Sequence, residues 1–134
     1  MAEALGLLAS ERVGHLATIR PDGGPHLVPM VFALVDDAIV TAVDWKPKKG
    51  RLQRLANIEA NPAISFLVHH YSDDWDDLWW VRVDGMATIH TQGPTWQRAI
   101  DALREKYHQY RERPPEGAVI WIQPEQVSSW SSRR

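Results

Sequence analysis

Residues 13–43 read VGHLATIRPDGGPHLVPMVFALVDDAIVTAV, and the fold turns on how this stretch is divided. VGHLATIR alternates apolar and polar positions and is rich in β-branched side chains, which predicts a strand over 13–20. The tetrad PDGG (21–24) is turn chemistry, because Gly23 and Gly24 accept positive φ without a Cβ clash. PHLVPMVFALVD (25–36) returns as a second strand, and Pro29, which cannot donate to a ladder, predicts an open or bulged side there. Asp36-Asp37 makes the next turn and AIVTAV (38–43) a third strand. Three strands joined by short turns form a meander. A parallel doubly wound sheet would need a helix after each early strand, and none is supplied.

Working outward, residues 2–11 have the spacing of a short helix, with Leu5, Leu8 and Ala9 on one face. Downstream, Pro47 and Gly50 break the third strand, and Leu52, Leu55 and Ala56 recur at helical spacing until Asn61-Pro62. AISFLVHHYS (63–72) predicts a fourth strand, SDDWDD (72–77) an acidic loop, and LWWVRVDGMATIHT (78–91) a long fifth strand with a bulge at Gly85. The run 93–113 predicts a helix carrying Ile100, Leu103 and Tyr107 on one side, stopped by Pro114-Pro115, and 118–130 a last strand. Six strands with two or three helices predict a mainly β, α+β domain: an antiparallel barrel flanked by helices, one domain over 1–134.

Composition narrows the function classes. Fifteen Lys and Arg against seventeen Asp and Glu give a net charge of -2, which argues against a general nucleic-acid or membrane-surface binder. The absence of cysteine excludes disulfides and thiolate chemistry and fits a cytoplasmic setting. No apolar run approaches the length of a membrane span, and the N-terminal residues do not have a signal-peptide pattern. The serines cluster at 128, 129, 131 and 132 without a glycine elbow. His69 and His70 are adjacent, so on a strand they point to opposite faces and cannot share one ion; no metal site is expected. Trp79-Trp80 likewise send one indole to each face: one fills the barrel, and the other needs a partner surface or a flat ligand to cover.

Against this background DWKPKKGRLQRL (44–55) stands out, with Lys46, Lys48, Lys49, Arg51 and Arg54 within nine positions. They run into a helix start, where free N–H groups already favour an anion. The residues alone leave two readings open: a solvated basic face, or a phosphate cradle that is not a Walker loop.

The hairpin GHLATIRPDGGPHLVPMVF, the basic helix TAVDWKPKKGRLQRLANIEANPAISFLV and the terminal WIQPEQVSSW, in that order, resemble the pyridoxamine 5′-phosphate oxidase-like split-β-barrel flavin and deazaflavin oxidoreductases. Among these the similarity is to the coenzyme F420-dependent enzymes. The resemblance spans residues 8–130 and implies an FMN-binding split barrel that forms a homodimer, with cofactor sites at the subunit interface and a small-molecule substrate. It implies a ring lying against His26, Val28, Pro29 and Met30 of the second strand and against Thr41 and Val43 of the third. It places the phosphate on Lys48, Lys49, Arg51 and Arg54, and brings Trp79 or Trp80 to the neighbouring subunit's site. The implied activity is hydride transfer between reduced F420 and a small organic substrate. The alternatives are FMN chemistry on the same fold and non-catalytic cofactor binding. The chain singles out no proton donor, since the cofactor carries this chemistry and the protein supplies position and electrostatics.

Overall fold

The computed structural model describes residues 2–44 and 52–133. The elements run α1 (Ala2–Leu8), β1 (Gly14–Ile19), β2 (Pro25–Met30), β3 (Ala33–Val35), β4 (Ala38–Ala42), α2 (Gln53–Ala60), β5 (Ala63–His70), β6 (Trp79–His90), α3 (Pro94–Lys106), α4 (His108–Glu112) and β7 (Val119–Ser131). All seven strands join one antiparallel sheet in the order β2-β1-β5-β6-β7-β4-β3. The architecture is mainly β, an antiparallel half-barrel with helices.

The count of seven corrects the six expected. The run 25–36 is not one strand. It divides at Val31-Phe32 into β2, which pairs with β1, and β3, which pairs with β4 at the opposite end of the sheet. The expected meander therefore becomes two hairpins holding the two sheet edges. The first keeps the predicted turn: Gly23 has φ 88°, its N–H donates to the Arg20 carbonyl, and Asp22 Oδ1 accepts from the Gly24 N–H. In the second, Asp36 takes φ 51°, a left-handed conformation that Asp tolerates, and its carboxylate pairs with Arg98 of α3 at 2.8 Å.

The division at Phe32 has a specific cause. The Tyr107 hydroxyl accepts from the Phe32 N–H at 3.1 Å and lies 2.9 Å from the Phe32 carbonyl and 2.7 Å from the Arg12 carbonyl. A side chain thus takes the backbone groups that a continuous strand would have used. Tyr107 itself is extended (φ -115°, ψ 116°) and separates α3 from α4, so the single helix expected over 93–113 is also two.

Alternation drives the layering. Leu16 of β1, Phe66 and Val68 of β5, Val81 and Val83 of β6, and Ile120 and Ile122 of β7 are buried together, closed by Leu5 and Leu8 of α1 and Leu55 and Ile58 of α2. Each such side chain contributes about 1.5–3 kcal/mol on burial. A second cluster lies where α3 (Ala99, Ile100, Leu103) packs on Ala33, Val40 and Val119 and takes in Tyr107 and Tyr110. At the expected bulge the β6–β7 register shifts between Asp84 and Gly85. A Cβ at Gly85 would strike the Gln123 carbonyl, which is why glycine stands there. No helix among the described residues is long and apolar enough to cross a membrane.

Candidate functional site

The division of 25–36 leaves a gap. β3 covers β4 only from Ala38 to Val40, so Thr41 and Ala42 have no strand on that side among the described residues. β2 pairs only with β1, so its other edge is also open. Between these two exposed edges lies a cavity of about 520 Å³. Pro29, Met30 and Val31 form one wall and Thr41, Ala42 and Asp44 another. Arg54 enters from α2, and Tyr107, Gln109 and Tyr110 come from the α3–α4 break.

The cavity is apolar on the β2 side and charged near α2. Arg54 is half-buried, and its Nε is buried with no hydrogen-bond partner. Burial pulls its guanidinium below the ordinary value, and Asp44 pushes back. Arg54 lies in the first turn of α2, whose N-terminus has no side-chain cap, so backbone N–H groups and a guanidinium open from the same place. Deeper in α2, Asn57 is fully buried; it accepts from Gln53 Nε2 at 2.7 Å and donates to Thr18 of β1 at 3.0 Å, fixing the helix on the sheet.

On the other side, burial raises the Tyr107 phenol above its usual value, opposed by its Phe32 bond and by Arg12. Burial, then Asp44, then Tyr107 push Tyr110 up to about 12. Behind Phe32, burial and Arg12 push the Lys106 ammonium down to about 8, partly opposed by Glu11. Its Nζ sits 3.8 Å from the Phe32 ring centroid with no hydrogen-bond partner. This is a cation–π contact under the strand break.

Four of the residues singled out from sequence therefore line one cavity: Pro29, Met30, Thr41 and Arg54. Those others that fall within the described residues lie elsewhere. Val28 and Val43 pack against the barrel core. His26 is half-buried on β2 with Nδ1 unpartnered and does not line the cavity. Lys48, Lys49 and Arg51 lie outside the described residues. Tyr107, Gln109 and Tyr110 were not singled out as site residues; the only sequence signal was two tyrosines three positions apart just before Pro114-Pro115.

The tryptophan pair separates as the two-residue period requires. Trp79 packs against the core and stacks on His70. Trp80 lies on the outer face of the sheet, in a groove of about 500 Å³ with His15, Leu27, Leu67, His69 and Arg82. His15 and His69 stack there at 5.9 Å. Trp130 stands directly opposite Trp80 on β7 and extends the same face. His70, on the other face, bonds Glu11 at 3.1 Å and Asp77 at 3.3 Å.

With this geometry in place, comparison with known proteins is informative. Residues 1–131 match the family model described as pyridoxamine 5′-phosphate oxidase. No curated protein sequence matches. Among solved structures, the conserved hypothetical protein Rv2991 from Mycobacterium tuberculosis superposes with a TM-score of 0.80 at 28% identity, over 98% of this chain and 84% of that one. A FAD-binding protein from Mesorhizobium loti gives 0.74 at 24% identity, over 96% and 91%. The heme storage protein HutZ from Vibrio cholerae gives 0.73 at 16%, over 96% and 92%. The last two show a shared fold only.

Proposed function

Because this chain belongs to the pyridoxamine 5′-phosphate oxidase family, we propose that the cavity between β2 and β4 takes the ring of a flavin-type cofactor, with F420 preferred to FMN. The cofactor's phosphate sits on Arg54 and on the cationic run Lys48, Lys49 and Arg51, and the protein is an oxidoreductase acting on a small organic substrate. The observation that carries this reading is Arg54: a half-buried guanidinium with an unpartnered Nε, at an uncapped helix start, on the rim of a cavity whose β2 wall is apolar. Such a group is stabilised by an anion placed against it.

When bound, the cofactor supplies the hydride chemistry. The chain's own residues orient and shield it. Pro29, Met30 and Val31 offer an apolar wall, and the open edges of β2 and β4 offer backbone hydrogen-bonding groups. Arg54 fixes the tail. The preference for F420 rests on charge: four or five cations are available where one phosphate uses about two or three, and F420 carries further carboxylates in its tail. The outer face bearing Trp80 and Trp130 is where a second copy of the chain covers the sheet, so the assembly is a homodimer.

Tryptophan-quenching titrations with F420 and FMN at two ionic strengths test the reading. F420 binds more tightly and loses more affinity with added salt, because more charges are engaged. Arg54→Ala weakens both by about ten- to a hundredfold, the loss expected for one charge-assisted hydrogen bond. Tighter FMN binding with an equal or steeper salt response would move the assignment to the flavin branch.

One observation favours a second reading. His15 and His69 stack in an apolar groove beside Trp80, a wall and an imidazole of the kind that hold a ferric porphyrin. That use competes with the twofold contact for the same face. A hemin titration with a Soret shift abolished by His69→Ala would favour a binding protein over the oxidoreductase.

A further inference from the structure

Beyond Arg54, the cavity holds two buried residues whose hydroxyls the protein itself does not use. Thr41 is 4% exposed and Tyr110 7% exposed. Both line the cavity, and neither hydroxyl has a hydrogen-bond partner among the described residues. Tyr107 is a built-in contrast. It is equally buried in the same wall, yet its hydroxyl is saturated by the Phe32 N–H and the Phe32 and Arg12 carbonyls. A phenol has one proton, and that of Tyr107 is already committed to backbone carbonyls, so Tyr107 has no donor left for a ligand.

Burying a hydroxyl without a partner is costly, and buried polar groups in folded proteins are nearly always paired. The Thr41 and Tyr110 hydroxyls open into the cavity rather than into the packed core, so a ligand that fills it and displaces its water has to offer them partners. The position of Tyr110 is no accident of a helix face. The extended residue Tyr107 ends α3, and α4 restarts at a new angle, so Tyr110 N–H returns to the Tyr107 carbonyl at 3.0 Å and its ring meets Tyr107 edge-on at 5.9 Å. The break that locks Tyr107 is what delivers Tyr110.

We infer that Thr41 and Tyr110 are the ring-reading hydroxyls of this site, each hydrogen-bonding a carbonyl or imide group on the edge of the bound heterocycle, while Arg54 holds the anionic tail. The inference rests on the cofactor reading above and adds to it the part of the ligand that the neutral donors recognise. A carbonyl edge suits them better than a second phosphate does. Neither hydroxyl carries charge, and Asp44 in the same wall disfavours further anion nearby. With its phenol held up at about 12, Tyr110 remains a donor throughout the ordinary pH range.

The test uses the intact chain with FMN and F420 as probes, and reads both the dissociation constant and the absorption band of the bound ring. Tyr110→Phe and Thr41→Val keep the shape and remove one hydroxyl each. Each is expected to weaken both probes by about five- to thirtyfold, the cost of leaving one ligand group unpaired, and to shift the bound ring's absorption. Arg54→Ala is expected to weaken binding and leave that band in place. Circular dichroism melts confirm the fold of each variant. The claim is made for both hydroxyls, so wild-type affinity and an unshifted band in either folded variant overturn it. If Arg54→Ala still weakens binding in that case, the cofactor reading stands and the ring-reading pair falls. A wild-type chain that binds neither probe overturns both.

Discussion

At the scale of single residues, His70 ties three parts of the chain together through its two ring nitrogens. Nδ1 faces Glu11 after α1 and Nε2 faces Asp77 in the β5–β6 loop, while Arg133 reaches Asp77 at 2.6 Å. The Asp77 bond, then the Glu11 bond, raise the His70 pKa above its ordinary 6.5. The His70 and Arg133 contacts hold Asp77 below its ordinary 3.8. The signs fix a window. The raised histidine contributes stability that is complete below 6.5 and is lost as pH climbs through its folded value. The depressed carboxylate contributes above 3.8 and loses it as pH falls. Melting temperatures of wild type and His70→Asn are expected to differ most near about pH 5–6 and to converge at higher pH. A gap that is constant across that range would mean His70 acts by packing on Trp79 instead. The placement of His70 opposite His69 was legible from the two-residue period alone. Its partners were not, because Glu11 and Asp77 are brought to it by tertiary packing.

At the scale of elements, what was legible is what is local. The β1–β2 turn follows from Pro21-Asp22-Gly23-Gly24, and the β6–β7 irregularity from Gly85, because each needs only a residue's own φ or its missing Cβ. The division of 25–36 was not legible. Residues 31–32 continue a good β pattern, and the interruption is imposed by a tyrosine 75 positions away. The same contact splits the helix expected over 93–113. The cavity exists because of those two breaks, so of the residues singled out from sequence only Pro29, Met30, Thr41 and Arg54 fall on its lining, and the tyrosine wall was missed. Tyr107→Phe is expected to cost about 1–3 kcal/mol, since the Phe32 and Arg12 backbone groups lose a buried partner. Urea denaturation checks it. A loss well under 1 kcal/mol would show that water or a local shift satisfies those groups and that the break does not depend on the hydroxyl.

At the scale of the whole molecule, the sheet has one face packed against α1 and α2; on the other, α3 covers the β3–β4–β7 end, while the part formed by β2, β1, β5 and the start of β6 has no cover among the described residues. On that second face the registers align Leu27 with Ala17, His15 with Leu67, His69 with Trp80, and Trp80 with Trp130. Leu27 is 65% exposed and Trp130 46%. Contiguous apolar surface of this kind marks an interaction site, and an isologous contact between two copies is the simplest way to cover it. A homodimer is expected at micromolar concentration by light scattering, and Leu27→Asp and Trp80→Asp are expected to give monomers by placing unpaired charge in the interface. The resemblance implies a cofactor site shared between two subunits, and on that expectation a monomer lacks the partner's indole, so its cofactor affinity falls together with its mass. A wild-type monomer would remove the interface. Clean monomers that bind the cofactor as tightly as wild type would keep the interface but confine the site to one chain, with Arg54, Thr41 and Tyr110 as its anchors.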